Sequence, residues 1–255
     1  MIFDVAFSTL LRKEVMRFWK VSMQTITAPV LSSLLYLLIF SHVLADNVKV
    51  YEGKLAYVAF LIPGLVMMTV LQNAFANTSS SLIQSKMSGN MIFILLTPIT
   101  PIQMFLAYVL GAMIRGVIVG IAVYLASLIW APVMPAHLEW MLLFGVLGSA
   151  IMGILGLIAG IYADKFDQLS GFTNFFVTPL TFLAGVFYSI KSLPPFWQAL
   201  SHANPFFYMI DGFRYGFFGL SDSSPWLSLA VVLSFALVLA MIALRMLQTG
   251  YKLRH

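Results

Sequence analysis

The chain has 255 residues, of which 61% are hydrophobic and only 9% charged, with a formal net charge of +5 and a mean hydropathy of +0.95. A soluble core of this length cannot hide so much apolar surface, so we expect the bilayer to be the solvent for most of the chain. The sequence contains no cysteine, which excludes disulfides, thiolate metal sites and cysteine nucleophiles.

Residues 1–22 predict an amphipathic helix that lies on the membrane surface. Apolar side chains share one side of a helical wheel and basic ones gather opposite; the apolar set is Phe7, Leu11, Val15, Phe18 and Trp19, and the basic set is Lys13, Arg17 and Lys20. Such a helix suits the headgroup layer of an anionic leaflet, so membrane lipids are expected partners. The alternative is that the segment is only a cytoplasmic extension of the first span.

Six apolar stretches are long enough to cross the bilayer, which takes about 20 residues as a helix. They are Thr25–Ala45, Val58–Ala76, Ile102–Trp130, Leu138–Tyr162, Phe172–Ile190 and Trp226–Leu247. We therefore expect an all-α integral membrane protein whose residues 1–255 form a single transmembrane domain. The sequence shows no convincing internal repeat, which weighs against the duplicated folds of secondary transporters.

The basic residues indicate the orientation of these spans. With an even number of crossings, both termini lie on one side, and cytoplasmic termini place nine basic residues inside and four outside. The inside set is Arg12, Lys13, Arg17, Lys20, Lys86, Lys165, Arg245, Lys252 and Arg254; the outside set is Lys49, Lys54, Lys191 and Arg214. This asymmetry predicts cytoplasmic termini, and it explains the basic balance without nucleic-acid binding.

Two features within the spans have open interpretations. The fourth span carries a stripe of glycines, at Gly145, Gly148, Gly153, Gly156 and Gly160, typical of close helix packing either within one subunit or across a dimer seam. Arg115 is the one charge inside an apolar run. It is interpreted either as a contact for a substrate or lipid phosphate, or as a side chain that snorkels to the cytoplasmic surface.

The segment between the second and third spans, residues 78–101, is polar through Asn90 and then apolar from Met91 to Leu96. Thr97-Pro98 and Pro101 predict a break in the helix before the third span. An apolar patch on the cytoplasmic side favours the docking of another protein. The alternative is that the patch anchors the segment in the membrane interface.

The segment before the last span, "SLPPFWQALSHANPFFYMIDGFRYGFFG" (residues 192–219), is too long for an ordinary hairpin loop. Pro194 and Pro195 predict the start of one short helix, and Asn204-Pro205 predicts its end and the start of a second. Aromatic side chains are expected to form a belt at the outer interface, namely Phe196, Trp197, Phe206, Phe207, Tyr208 and Tyr215.

Asp211 and Arg214 are three residues apart in this segment, a spacing at which the two charges can neutralise each other on a helix. The pair is expected either to hold the second short helix in place or to form part of a gate. Asp211 with His202 is also the one poor candidate for an acid–base pair of a lipid-modifying enzyme.

No other enzyme site is evident in the sequence. None of the nine acidic residues falls in the middle of a predicted span, and no GxxxxGK[ST] motif is present. The four histidines form no metal-binding pair. We therefore expect no catalytic residue and no metal site, and a partner would have to supply the energy for any pumping.

The chain resembles the membrane subunit of ABC-2 type exporters, a family that includes nodulation-factor and polysaccharide export permeases. The resemblance covers essentially the whole chain. It rests on the basic amphipathic start, the six spans, "LLTPI" after a short cytoplasmic helix, and "NPFFYMIDGFRYG" before the last span. It implies a homodimer in the bacterial inner membrane that joins two copies of a separate ABC ATPase. That partner binds ATP and Mg, so this chain needs no cofactor of its own.

In that family the loop after the second span forms a coupling helix that sits in a groove of the ATPase. The resemblance carries this role onto Ser85, Lys86, Gly89, Asn90, Met91, Ile92, Phe93, Leu95, Leu96, Thr97 and Pro98, with Met91 to Leu96 as the docking face. Family members commonly have an acidic residue just before the Leu-Leu pair, and this chain has none there. The polar part of the usual contact is therefore expected to differ.

The resemblance also implies that the segment before the last span turns back into the outer leaflet as a re-entrant helical hairpin. The residues concerned are Pro194, Pro195, Trp197, Asn204, Pro205, Phe206, Tyr208, Asp211 and Arg214. The expected function is ATP-driven export of an amphipathic or lipid-linked substrate, through a dimer interface that involves spans one and five. The alternatives are an ATP-independent channel or secondary carrier, a membrane-embedded enzyme and an interaction-only scaffold.

Overall fold

The computed structural model describes residues 5–43, 50–53 and 55–253, and this part of the chain consists of helices joined by turns and loops, with one isolated β-bridge between Val50 and Leu55. The predicted all-α class is thus confirmed. Several positions used in the sequence argument lie outside the described residues: Ala45, Lys49, Lys54 and Arg254.

Eleven α-helices follow one another in the described residues. They are α1 (Val5–Trp19), α2 (Ser22–Val43), α3 (Tyr57–Met87), α4 (Met91–Leu95), α5 (Pro101–Ser127), α6 (Leu138–Tyr162), α7 (Phe166–Phe172), α8 (Thr178–Phe182), α9 (Pro195–His202), α10 (Pro205–Phe218) and α11 (Pro225–Thr249). A π-helical turn (Thr173–Val177) joins α7 to α8, and 3₁₀ turns occupy Tyr51–Gly53 and Ile190–Ser192.

Five helices of the described residues are long and apolar enough to cross a membrane: α2, α3, α5, α6 and α11. They coincide with the first four predicted spans and the last. The remaining predicted span, Phe172–Ile190, is not one apolar helix, because the helical stretch begins at Phe166 and ends at Phe182. The count of six crossings therefore stays a prediction.

α3 is the most deeply buried of the five long helices and packs against α5, α6 and α10. The glycine stripe of α6 makes this packing close. A Cβ at Gly156 would lie 2.5 Å from the carbonyl oxygen of Phe75, and one at Gly148 would lie 2.2 Å from the side chain of Met67. These glycines serve packing within the subunit, as the first of the two interpretations proposed.

α3 also extends further than the sequence predicted. The second span was expected to end at Ala76, but the helix continues to Met87, so residues 78–87 belong to α3 rather than to a separate coupling segment. Serines in this polar run bond back to the helix, with Ser79 Oγ donating to the Phe75 carbonyl at 2.8 Å. Others bond to α1, so tertiary partners keep a polar sequence helical and buried.

α1 is a separate helix, since it ends at Trp19 and α2 begins at Ser22. It packs mainly along α5, while α2 lies at the periphery and leaves most of its apolar surface uncovered. α11 is similarly exposed. Apolar surface of this kind is ordinary for helices whose solvent is lipid.

Candidate functional site

The inward face of α1 differs from the predicted apolar face. Phe7, Leu10 and Phe18 are buried as expected of an amphipathic helix, but Glu14 is fully buried among them, whereas Trp19 is exposed. The Glu14 carboxylate accepts a hydrogen bond from Ser81 Oγ of α3 and forms an ion pair with Lys13. A buried carboxylate requires such partners, because an unpaired charge away from water is costly.

Two cations on α1, Lys13 and Arg17, bond to polar groups of α3. Arg17 Nη1 donates to Ser80 Oγ at 3.1 Å, and Arg17 Nη2 donates to the backbone and side-chain oxygens of Asn77. Lys13 Nζ lies 3.4 Å from Ser85 Oγ. Lys13 and Arg17 keep 40% and 23% of their side chains exposed, so the predicted contact with lipid headgroups stays a prediction.

α5 completes this polar junction between α1 and α3. A Cβ at Gly111 would lie 2.8 Å from Glu14 Cβ, so the absence of a side chain allows α5 to approach α1 here. Arg115 Nη2 donates to Asn73 Oδ1 of α3 at 3.2 Å. Arg115 is thus a half-buried link between two helices and does not extend freely to the surface.

The polar end of α3 leads directly into α4. Gly89 adopts a left-handed conformation, with φ +72°, and turns the chain from α3 into α4. Phe93 and Leu96 are 69% and 77% exposed, and Ile92 is exposed as well. Met91 was predicted to belong to the same face, but it is only 3% exposed and packs into the core.

The predicted break after α4 is present. α5 begins at Pro101, and Thr100 caps it through a capping box: Gln103 N donates to Thr100 Oγ1 at 3.3 Å, and Thr100 N donates to Gln103 Oε1 at 2.8 Å. Two residues predicted to couple to a partner make contacts within the subunit, and their coupling role stays a prediction. Ser85 is buried against α1, and Lys86 is bonded to the end of α6.

Lys86 belongs to an ion cluster that joins α3, α6 and the residues after α11. Lys86 Nζ lies 3.1 Å from Asp164 Oδ1 and donates to the Ala163 carbonyl at 2.6 Å. Lys252 Nζ lies 2.9 Å from Asp164 Oδ2 and donates to the Tyr162 carbonyl at 3.0 Å. The hydrogen bond from Lys252, then that from Lys86, lowers the pKa of Asp164.

At the other end of the bundle, the two short helices begin where their prolines predict. α9 starts at Pro195 with Pro194 as its N-cap, and α10 starts at Pro205. The Asn204 side chain caps α10 by accepting from Phe206 N at 3.0 Å. The depth of these helices in the membrane stays a prediction.

Most of the predicted aromatic belt is not at the surface. Phe196 and Trp197 are exposed, as a belt requires. Phe206, Phe207 and Tyr208, in contrast, are buried in the core, because α10 packs against α3, α6 and α11. The prediction of a belt is therefore wrong for these three residues.

Arg214 of α10 is fully buried and holds the segment that follows α8. Its Nη2 donates to the Gly185 carbonyl at 2.8 Å and to the Val186 carbonyl at 3.4 Å, and its guanidinium lies 3.8 Å from the centroid of the Phe60 ring. Gly64 makes room on α3, since a Cβ there would lie 2.6 Å from the Val186 carbonyl oxygen. Arg214 thus joins α10, α3 and the unwound segment.

Asp211, also fully buried, holds the turn before α11. Its two carboxylate oxygens accept backbone N–H bonds from Asp222 and Ser223, each at 2.9 Å. Both side chains lie in the described part of the chain, and no direct ion pair joins Asp211 to Arg214. The predicted mutual pair is therefore wrong, because each charge is bonded to a different backbone segment.

The end of α8 and the segment after it have backbone carbonyls without helical partners, and side chains from three other elements donate hydrogen bonds to them. Asn204 Nδ2 donates to the Leu180 carbonyl at 2.6 Å, Ser201 Oγ to the Leu183 carbonyl at 3.1 Å, and Tyr57 OH to the Phe187 carbonyl at 3.0 Å. With Arg214, these donors satisfy non-helical backbone inside an apolar protein. We call Asp211, Arg214 and these donors the outer hub, after the side of the membrane that the sequence predicts for them.

The contacts of the outer hub do not support Asp211 and His202 as the acid–base pair of an enzyme. Backbone N–H groups occupy both oxygens of Asp211, and the His202 ring packs edge-on against Phe207, with 5.5 Å between ring centroids. Sequence reasoning missed the donors Tyr57 and Ser201, which carry no distinctive local pattern. It also missed Glu14, although an acidic residue between the basic residues Lys13 and Arg17 could have indicated an ion pair.

Comparison with known proteins agrees with this architecture. A model of the ABC-2 type transporter family matches residues 5–218. The inner membrane transport permease YadH of Escherichia coli K12 is 38% identical over 253 residues, which cover 99% of this chain and 98% of that protein. The YadH proteins of Escherichia coli O157:H7 and Shigella flexneri match with the same identity and coverage.

Proposed function

The chain belongs to the ABC-2 type transporter family, and we propose that it is the membrane-spanning permease subunit of an ATP-driven exporter in the bacterial inner membrane. Two copies of the chain would form a homodimer that joins two copies of a separate ABC ATPase, which binds ATP and Mg. The cargo would be an amphipathic or lipid-linked molecule. Six crossings with cytoplasmic termini belong to the same proposal, the additional crossing being formed by α7, α8 and the segment that follows.

The observation that carries this proposal is the exposed apolar face of α4. Ile92 and Phe93 project from a five-residue helix, together with Leu96 directly after it, while the opposite side of the helix, at Met91, is anchored in the core. An anchored helix with an exposed apolar face suits a protein partner, since the rest of the subunit holds it in a fixed orientation.

α3 provides a mechanical connection from α4 to the outer hub. A 31-residue helix is about 46 Å long, sufficient to span the bilayer. Its last turn leads into α4, and its first turns carry Tyr57, Phe60 and Gly64, which contact the outer hub. A displacement of α4 by an ATPase would therefore be transmitted to the segment after α8, which the proposal places at the outer end of the pathway.

The experiment is a pull-down of the full chain in mild detergent, with the co-purifying proteins identified by mass spectrometry. The proposal predicts a P-loop ATPase in near-stoichiometric amount. Co-purification of no ATPase from membranes in which the partner is expressed would contradict it and favour an ATP-independent channel or carrier.

A further inference from the structure

A cleft separates α1 from the junction of α3 and α4. The cleft contains two cavities, one of about 410 Å³ and one of about 480 Å³. Lys13, Phe93 and Ile94 border both cavities, so the two are consecutive parts of one cleft. We call it the α1–α4 cleft.

One half of the α1–α4 cleft is polar and positively charged. Lys13 and Arg17 line it together with the hydroxyl groups of Ser81, Ser85 and Ser88. No carboxylate lines this half among the residues that the structure describes, because the Glu14 side chain is fully buried behind the two cations. Two cations with one buried carboxylate leave an excess positive charge that favours an anion.

The other half of the α1–α4 cleft is apolar. Leu10 of α1, Ile94 of α4, and Pro98 and Ile99 of the following turn line it, and Lys13 is its one charged residue. A soluble anion gains no binding energy from such an apolar surface. An amphiphile does gain binding energy there, because each methylene group that leaves water for an apolar site stabilises binding by about 0.8 kcal/mol.

We propose that the α1–α4 cleft binds a membrane phospholipid with a net negative headgroup. The headgroup phosphate contacts Lys13 and Arg17 and accepts a hydrogen bond from the Ser85 hydroxyl, while an acyl chain occupies the apolar half. Phe93 borders both halves and is also part of the exposed face of α4. A bound lipid therefore fixes α1 against α4 and sets the orientation of that face.

The test is native mass spectrometry of the purified full chain, titrated in detergent with phosphatidylglycerol or with zwitterionic phosphatidylcholine. It needs no ATPase, so its outcome is independent of the proposed ATP-driven function. We expect the chain to retain phosphatidylglycerol in preference to phosphatidylcholine. Lys13→Gln should weaken that binding about fivefold, since it removes one partly exposed charge-assisted contact, whereas Lys20→Gln, at an exposed position in the turn after α1, should leave it unchanged.

The Lys13 side chain also pairs with Glu14, so Lys13→Gln could misfold. A second pair of variants tests the same cleft without removing that ion pair. Ser88 lies on the exposed wall of the cleft, and its neighbour Met87 is exposed but does not line the cleft. Ser88→Glu should weaken retention of phosphatidylglycerol more than Met87→Glu does. Equal retention of both lipids by all variants would overturn the proposal in favour of non-specific annular lipid. Displacement of phosphatidylglycerol by millimolar inorganic phosphate would overturn it in favour of a soluble phosphate ligand.

Discussion

Asp211→Asn tests the outer hub by removing a charge and one acceptor while nearly preserving the shape of the side chain. The Asp211 oxygens accept two backbone N–H bonds at 2.9 Å, and the amide oxygen of Asn can keep only one of them. The other N–H then faces an NH₂ group. Losing a charge-assisted bond and leaving a buried donor unpaired should destabilise the protein by about 3 kcal/mol.

The assay is the apparent melting temperature of the purified protein in detergent, followed by loss of the monodisperse peak in size-exclusion chromatography. About 3 kcal/mol corresponds to a decrease of about 6–12 °C for a chain of this size. The matched control is Asp167→Asn on α7, where the side chain is exposed and the change should stay within about 0.5 kcal/mol.

The double variant Asp211→Asn/Arg214→Met separates the outer hub from the mutual ion pair expected from the sequence. If the two charges hold different backbone segments, as the structure shows, the double variant should be less stable than either single variant. A double variant that regains the stability of the wild type, or an Asp211→Asn protein as stable as Asp167→Asn, would refute this reasoning.

Two further predictions use the same melting assay. Gly156→Ala should destabilise the protein by about 1–3 kcal/mol, because the new Cβ lies 2.5 Å from the Phe75 carbonyl oxygen, whereas Gly171→Ala on α7 has no atom within 4 Å and should stabilise it by about 0.5–1 kcal/mol. The same sign for both would contradict the described packing of α6. Because its pKa is lowered in the folded protein, Asp164 contributes stability above its unfolded pKa, and this contribution disappears as the pH falls through the folded value. Asp164→Asn should therefore reduce the loss of stability that occurs as the pH falls below the usual aspartate pKa of about 3.9, and an unchanged profile would show that its contacts with Lys86 and Lys252 do not persist in solution.

The parts of the fold that the sequence predicted well are those that the bilayer or a proline determines. The apolar stretches of α5, α6 and α11 have lengths set by membrane thickness, and α6 was predicted to the residue. Pro101, Pro195 and Pro205 each begin a helix, because a proline at the first position loses no helical hydrogen bond.

The continuation of α3 beyond Ala76 could not be predicted from its own residues. Its polar run is held by partners far away in the chain, such as Glu14, which bonds Ser81 across 67 positions. Similarly, the apolar sequence after Phe182 gives no local sign that it leaves the helix, because the donors that satisfy its carbonyls come from α3, α9 and α10. Local patterns report length and capping, whereas long-range hydrogen bonds decide where a buried helix ends.

The sequence predicted the position of the candidate site, and the structure corrected which residues form its exposed face. The sequence placed an apolar patch after Asn90, and the structure selects its exposed members, Ile92, Phe93, Leu95 and Leu96. Met91 faces inward because the turn at Gly89 fixes the rotation of α4. Apolarity alone cannot distinguish the anchored side of a short helix from its free side.

The measurement that tests the central claim most directly repeats the pull-down with the variant Ile92→Asp/Leu96→Asp beside a matched control. The control, Ile129→Asp/Met134→Asp, alters two apolar side chains that are 81% and 67% exposed just after α5, at the end remote from α4. We predict that the α4 variant loses the ATPase while the control retains it. An ATPase that stays bound to the α4 variant, or is lost equally from both, would contradict α4 as the element that couples this permease to its partner.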